Sequence, residues 1–312
     1  MPRLSRLDAL LILMALIWGT NYTVIKFAFR EIAPQAFNAV RLVVASLIMI
    51  GTMVVTRRMM WNPAEVFYTR EPLTRRDWMA LAGLGLVGHC LYQFLFIGGV
   101  ARTSVANSSL LLATSPVLIT LSADMMRRAG VTSERVTPLH WAGTLISLLG
   151  VFIVVRSGGS TAGQSLTGDV MMAGAVVCWS IYTIAARPLM ARHSPVGVTA
   201  LSMAFGTLFY VPLTVPALAR VSWTAIGPGT RLALAYSAVL SICVAYVIWY
   251  VSVRELGTAR TAVYSNLLPI IAMAAAFVWL REPLGAAKLG GAALVLLGVA
   301  LTRVSPRVVA DS

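Results

Sequence analysis

Runs of about twenty apolar residues, separated by short polar breaks, recur along the whole chain. At 1.5 Å rise per residue, about 20 residues cross the roughly 30 Å hydrocarbon layer of a bilayer. Ten such stretches predict ten transmembrane helices, over residues 9–29, 35–56, 78–98, 103–123, 138–155, 169–189, 196–217, 232–253, 258–280 and 285–302. The longest connection between them, 57–77, is basic, and the only linker-like stretch, between the fifth and sixth, is rich in Gly and Ser.

The ten stretches form two sets of five. Trp18 and Pro34 align with Trp179 and Pro195 at a shift of 161, and Ala80–Ala82 and Pro116 with Ala233–Ala235 and Pro269 at 153. Gly143 and Leu148–Val151 recur as Gly291 and Leu296–Val299 at a shift of 148. Because five is odd, the second set enters the membrane from the opposite face, the arrangement associated with alternating access in transporters. The expected fold is an all-α integral membrane protein, with ten transmembrane helices as two inverted five-helix repeats around a central cavity. Residues 1–156 form the first repeat, 157–168 the linker and 169–312 the second repeat.

Composition excludes a soluble fold independently. Charged residues make up 12% and hydrophobic residues 58%, against roughly 25% charged in soluble domains. The net charge of +14 follows from membrane topology. Sixteen Lys and Arg fall at the N-terminus and on the loops of its face, and eight on the opposite face. The positive-inside rule then places both termini in the cytoplasm. The basic residues form no single stripe, so no nucleic-acid partner is expected. Arg3 and Arg6 precede an apolar run too long and too late-ending for a signal peptide, which reads as a retained first helix. Cys90, Cys178 and Cys243 lie in separate spans and make no disulfide framework.

Gly83, Gly85 and Gly88 spell G-x-G-x-x-G, but inside an apolar helical span with no preceding strand. Close helix packing explains them better than a dinucleotide site.

Polar groups at membrane depth are expensive and mark function. In the third span His89, Tyr92, Gln93 and Phe96 share a helical face at i, i+3, i+4 and i+7. The aligned positions of the eighth span include Tyr246 and Trp249, so an aromatic wall faces a His/Gln wall, a combination suited to an amphipathic solute. Trp18, Asn21 and Tyr22 in the first span, and Trp179 and Tyr182 in the sixth, are candidates for cavity or gate. So are Asn107 and Leu111 in the fourth span and Tyr264, Ser265 and Asn266 in the ninth, each set followed or joined by a proline, Pro116 or Pro269, expected to kink its helix and free carbonyls. Arg41 is the one Arg well inside a span; docking of a substrate carboxylate and a clamp on helix-end carbonyls are both open to it. No carboxylate lies at a span centre, and His89 is the sole central titratable group, which favours facilitated export or exchange over obligatory proton antiport.

Together, Trp18, Gly19, Thr20 and Asn21, then Arg41, the segment Ala106 to Pro116 ending in Ser115 and Pro116, and the paired Gly143–Gly150 and Gly291–Gly298 resemble the ten-span branch of the drug/metabolite transporter superfamily, the EamA transporters. The resemblance covers essentially the whole chain. It implies spans 1 to 4 and 6 to 9 as a basket around a central cavity, spans 5 and 10 packed behind, residence in the bacterial inner membrane, and export of amino acids, aromatic ones among them, or of other metabolites. Two departures stand out: Ser180 replaces the Gly19 position in the second copy, and Ser202 replaces Arg41.

The expected function is secondary transport of small metabolites, as exporter or facilitator, by alternating access, with amino acids, aromatic or bulky apolar ones included, as the expected substrates. Proton-coupled efflux of drugs or metabolites and a membrane-embedded enzyme are the alternatives. The enzyme lacks support: His89, His140 and His193 are scattered, no nucleophile stands with a base, and neither metal nor cofactor is expected. The expected partners are a small-molecule substrate and the lipid bilayer. The oligomeric state stays open, with a monomer compatible.

Overall fold

The computed structural model describes residues 5–62, 65–69, 71–115, 118, 138–157, 165–256, 261 and 263–303. Within them the chain is all helical. In chain order the elements are α1 (Arg6–Ala28), α2 (Pro34–Arg58), α3 (Arg75–Arg102), α4 (Val105–Leu112), α5 (Pro138–Ser157), α6 (Leu166–Arg192), α7 (Pro195–Leu218), α8 (Pro228–Leu256), α9 (Leu268–Leu280) and α10 (Ala286–Arg303). Six of these, α1, α2, α3, α6, α7 and α8, are each long and apolar enough to cross a membrane. The protein is a multi-pass membrane protein.

Local signals set the helix starts. Ser5 with Asp8, and Thr74 with Asp77, form capping boxes that satisfy the exposed N–H groups of α1 and α3. Ser104, Ser165 and Ser194 cap α4, α6 and α7. Leu10, Leu13, Leu47, Leu208 and Leu213 point outward at 40–68% exposure, as suits helices solvated by lipid.

Contacts between helix ends sort them onto two faces. On the face where α1 begins, Tyr264 Oη donates to Asp8 (2.6 Å), Arg192 pairs with Asp77 (2.7 Å) and Arg254 donates to the Glu65 carbonyl (3.2 Å). On the opposite face Lys26 pairs with Glu282 (3.1 Å), the Gly227 amide donates to Glu31 (2.8 Å) and Thr103 donates to Asp169 (2.8 Å). So α1 starts on one face and α6 on the other.

The main helix contacts map onto one another when α1–α5 are exchanged with α6–α10. α2 packs on α7 and α5 on α10; α3 against α6 matches α8 against α1; α1 with α9 matches α6 with α4. Single bonds obey the same rule. The Ser46 and Thr207 hydroxyls, 161 residues apart, bond at 2.8 Å, and Ser147 donates to the carbonyl of Val295, 148 residues on (3.2 Å). These are the shifts at which the two halves of the sequence align, so each bond joins a residue to its own counterpart. Around the second bond, a Cβ on Gly150 would run into Gly291 and Val295, and one on Gly298 into Gly143 and Ser147. Small residues let these backbones touch where lipid-like side chains offer little drive to associate.

Three helices depart from regular α geometry. α3 carries a π turn at Leu86–Leu91 and α8 a longer one at Tyr236–Val244, while α9 is preceded by a 3-10 turn at Val263–Leu267 and ends in a π turn at Ala276–Leu280. Pro269 sits in the first turn of α9, where its missing N–H costs nothing. The kink expected from it is instead a break supplied by the 3-10 turn just before it. Pro116 and its expected kink lie outside the described residues.

Candidate functional site

A central cavity lies between α1, α2, α3, α4, α6, α8 and α9. Ten of the residues expected to form a site line it: Trp18, Asn21, Tyr22, Arg41, Tyr92, Gln93, Phe96, Trp179, Tyr246 and Ser265. It offers about 50 Å³ to the centres of water molecules, room for a few waters. A solute as large as an aromatic amino acid enters only if side chains move.

The apolar side is a cluster of rings. Trp18 and its sequence counterpart Trp179 meet edge to face at 5.7 Å, each lies 5.7 Å from Tyr246, and Trp249 packs on both, at 5.5 and 5.8 Å. Tyr92 stacks on Phe96 at 5.5 Å and reaches Trp179 at 5.3 Å. The Trp18 indole N–H is committed to the Ser241 carbonyl (2.8 Å), inside the π turn of α8. Such turns disturb the regular carbonyl ladder and recur at functional positions.

The polar side is built around Arg41, only 2% exposed. One guanidinium nitrogen donates to Ser237 Oγ (2.9 Å); the other donates to Asn38 Oδ1 (2.6 Å) and Gln93 Oε1 (2.7 Å). Ser237 in turn donates to Asn21 Oδ1 (2.8 Å). The Arg41 partners are side chains of α2, α3 and α8, and none of its bonds goes to a helix-end carbonyl. Nε has no partner, and no carboxylate among the described residues pairs with the charge.

In the second half the aligned positions carry an uncharged version. Tyr182 Oη bonds to His89 Nε2 (2.9 Å) and to Ser202 Oγ (3.1 Å), and Ser202 donates to the Thr199 carbonyl (3.2 Å). Tyr182, Ser202 and Thr199 stand 161 residues after Asn21, Arg41 and Asn38.

His89 does not share the face of Tyr92, Gln93 and Phe96. The π turn that contains it gives more residues per turn than the 3.6 assumed from sequence, and rotates it behind the cavity wall onto Tyr182. Tyr182 and Trp249 support the wall from behind, at 0% and 1% exposure. Asn107 and Leu111 on α4, Tyr264 before α9 and Pro269 also stand off the cavity, and the side chain of Asn266 lies outside the described residues. Sequence reasoning passed over Ser109, Leu112, Ala113 and Leu268, whose small or plain apolar side chains carry no signal of their own, and Ser241, which the π turn brings inward.

At each face one bond ties the end of a first helix to the start of a third. Arg192, ending α6, holds Asp77 at the start of α3, with His193 Nε2 3.5 Å from the same carboxylate. Glu31, 161 residues earlier and just after α1, holds the Gly227 amide at the start of α8. The opposite face adds the pair of Lys26 with Glu282, which also accepts the Val105 amide (3.2 Å) at the start of α4.

Similar proteins are transporters. A transporter of Archaeoglobus fulgidus whose role is uncharacterised is 28% identical over 304 residues, covering 96% of this chain and 97% of its own. A probable terminal-alkyne amino-acid exporter of Streptantibioticus cattleyicolor is 29% identical over 96% of this chain and 94% of its own. A probable amino-acid metabolite efflux pump of Salmonella typhimurium is 26% identical over 95% and 94%. A protein of known crystal structure shares the fold at a TM-score of 0.67 and 18% identity, over 96% of this chain and 98% of that one. The model of one transporter family matches both halves, at residues 6–156 and 166–304, and the chain belongs to that EamA-like transporter family.

Proposed function

We propose that the protein exports amino acids and their metabolites with aromatic or bulky apolar side chains, by alternating access across the inner membrane, with both termini in the cytoplasm. The observation that carries this reading is one central cavity holding a buried guanidinium against a cluster of Trp and Tyr rings. Such a cavity meets a carboxylate with charge and an apolar side chain with dispersion and ring contacts. Two relatives named as exporters of amino acids or their metabolites support the substrate class.

Inverted repeats of residues 1–156 and 169–312 suit the starts of α1 and α6 on opposite faces and the bonds between counterparts. The excess of Lys and Arg on the face of the N-terminus supports its placement in the cytoplasm. The narrow cavity and the ties at both faces suit an occluded state between two open ones, with Arg192–Asp77 as the inner latch and Glu31–Gly227 and Lys26–Glu282 as the outer one.

Counterflow of a labelled aromatic amino acid or its derivative into preloaded liposomes tests the reading: saturable exchange supports a carrier, and flux that never saturates with concentration would overturn it in favour of a pore. In the same assay His89→Ala separates facilitated from proton-coupled export. With His89 held by Tyr182 away from the cavity, counterflow by the variant is expected to stay within about threefold of the parent, with an unchanged response to an imposed pH gradient. Loss of a gradient response that the parent shows would assign coupling to His89.

A further inference from the structure

The cavity has a charge imbalance that bears on which form of an amino acid it takes. Arg41 is the one charged residue among the described residues that line it. Arginine stays protonated in any protein environment. Its hydrogen-bond partners, Asn38, Gln93 and Ser237, are all neutral. A buried cation with no counter-ion leaves the cavity one negative charge short of neutrality, and an entering carboxylate supplies it.

The neutral groups lean the same way. Gln93 Oε1 accepts from Arg41 and Asn21 Oδ1 from Ser237. These bonds fix both amides with their oxygens turned toward the Arg41 network, which leaves each NH₂ as a donor; that of Gln93 goes to Tyr246, and that of Asn21 stays for a solute. The Ser241 carbonyl accepts from Trp18, and the Ser109 hydroxyl donates to the Ala106 carbonyl (3.0 Å), which leaves it a neutral acceptor. The acceptors that line the wall are thus neutral hydroxyls, those of Ser109, Tyr22, Tyr92 and Tyr246 among them, and no carboxylate stands beside them among the described lining residues. A carboxylate or an acyl carbonyl finds partners here. An ammonium group finds ring faces and neutral hydroxyls beside a guanidinium of like charge, which together repay less than a desolvated ion's lost hydration.

We propose that, among the solutes of the export reading on which this inference rests, the cavity selects monocarboxylates whose amine is acylated or absent over the zwitterionic amino acids. The aryl group lies among Trp18, Trp179 and Tyr246, the carboxylate on Arg41, and the acyl or hydroxyl substituent at the Asn21 amide.

The test is counterflow in liposomes with four solutes of matched side chain: phenylalanine, N-acetylphenylalanine, 3-phenyllactate and phenylalanine amide. N-acetylphenylalanine and 3-phenyllactate are expected to exchange at least tenfold faster than phenylalanine at equal subsaturating concentration, and the amide not at all. Arg41→Gln is expected to abolish that preference, and Arg41→Lys, which keeps the charge, to retain it with weaker affinity. Quenching of intrinsic Trp fluorescence by each solute reads binding separately from turnover, and the panel on the unaltered protein decides the matter even if Arg41→Gln does not fold. Phenylalanine exchanging as fast as its acetyl derivative, or faster, would overturn the charge argument while leaving amino-acid export standing. Failure of all four to exchange or quench would remove both.

Discussion

Trp179→Ala is expected to lower the melting temperature of the detergent-solubilised protein by roughly 10 °C and to cut counterflow of aromatic solutes at least tenfold. The ring lies within 6.2 Å of five others, those of Trp18, Tyr92, Tyr182, Tyr246 and Trp249, so its removal opens the centre of the bundle. Truncating a buried Trp costs about 3–5 kcal/mol, and a chain of this size loses about 2–4 °C per kcal/mol. Binding suffers separately, because Trp179 forms part of the surface a solute touches. Trp179→Phe keeps a ring and is expected to recover most of the stability while remaining impaired in transport. Normal transport by Trp179→Ala would contradict the aromatic wall as the apolar half of the site.

Gly298→Leu is expected to have the largest effect on folding. A Cβ at Gly298 already overlaps the Gly143 carbonyl and Ser147 of the facing helix, so a leucine there drives α10 from α5 and breaks the Ser147–Val295 bond beside it. Overpacking of a tight contact costs about 1–3 kcal/mol when the neighbours adjust, and more when the obstacle is backbone. Gly83→Leu is the matched control, since nothing lies within 4 Å of a Cβ at that position. Monodisperse yield and melting temperature on size exclusion should fall sharply for Gly298→Leu and stay at parental values for Gly83→Leu. Equal behaviour of the two would show that α5 and α10 are not held by close backbone contact.

Much of this architecture was legible because sequence periodicity and the membrane impose the same constraint. Aligning Trp18 with Trp179 at a shift of 161 forecasts a relation that the Ser46–Thr207 bond meets, and the shift of 148 forecasts Ser147 against Val295. The G-x-G-x-x-G run also yields to packing logic: Gly85 faces the α7 backbone at Ser202, and Gly88 the ring of Tyr182. What stayed hidden was local winding. A reading at 3.6 residues per turn carries His89 into the cavity with Gln93; the π turn at Leu86–Leu91 carries it out. No composition signal marks such a turn, because it depends on which neighbours fill the widened ring. Arg41 was visible as an oddity, but its partner Ser237 comes from the other half of the chain and follows only from knowing how α2 meets α8.

The central claim is a cavity reached from one face at a time. It is tested most directly by Ser109→Cys in a protein whose Cys90, Cys178 and Cys243 are replaced by Ala, probed with a membrane-impermeant maleimide from each face in oriented vesicles. Ser109 lines the cavity, and its hydroxyl bonds only within its own helix. Labelling is expected from both faces at different rates. Asp77→Asn, which weakens the Arg192 latch, is expected to raise the rate from the face of the N-terminus and lower it from the other, and Glu282→Gln to do the reverse. Rates that rise together from both faces in either latch variant, or a thiol unreachable from both, would contradict alternating access.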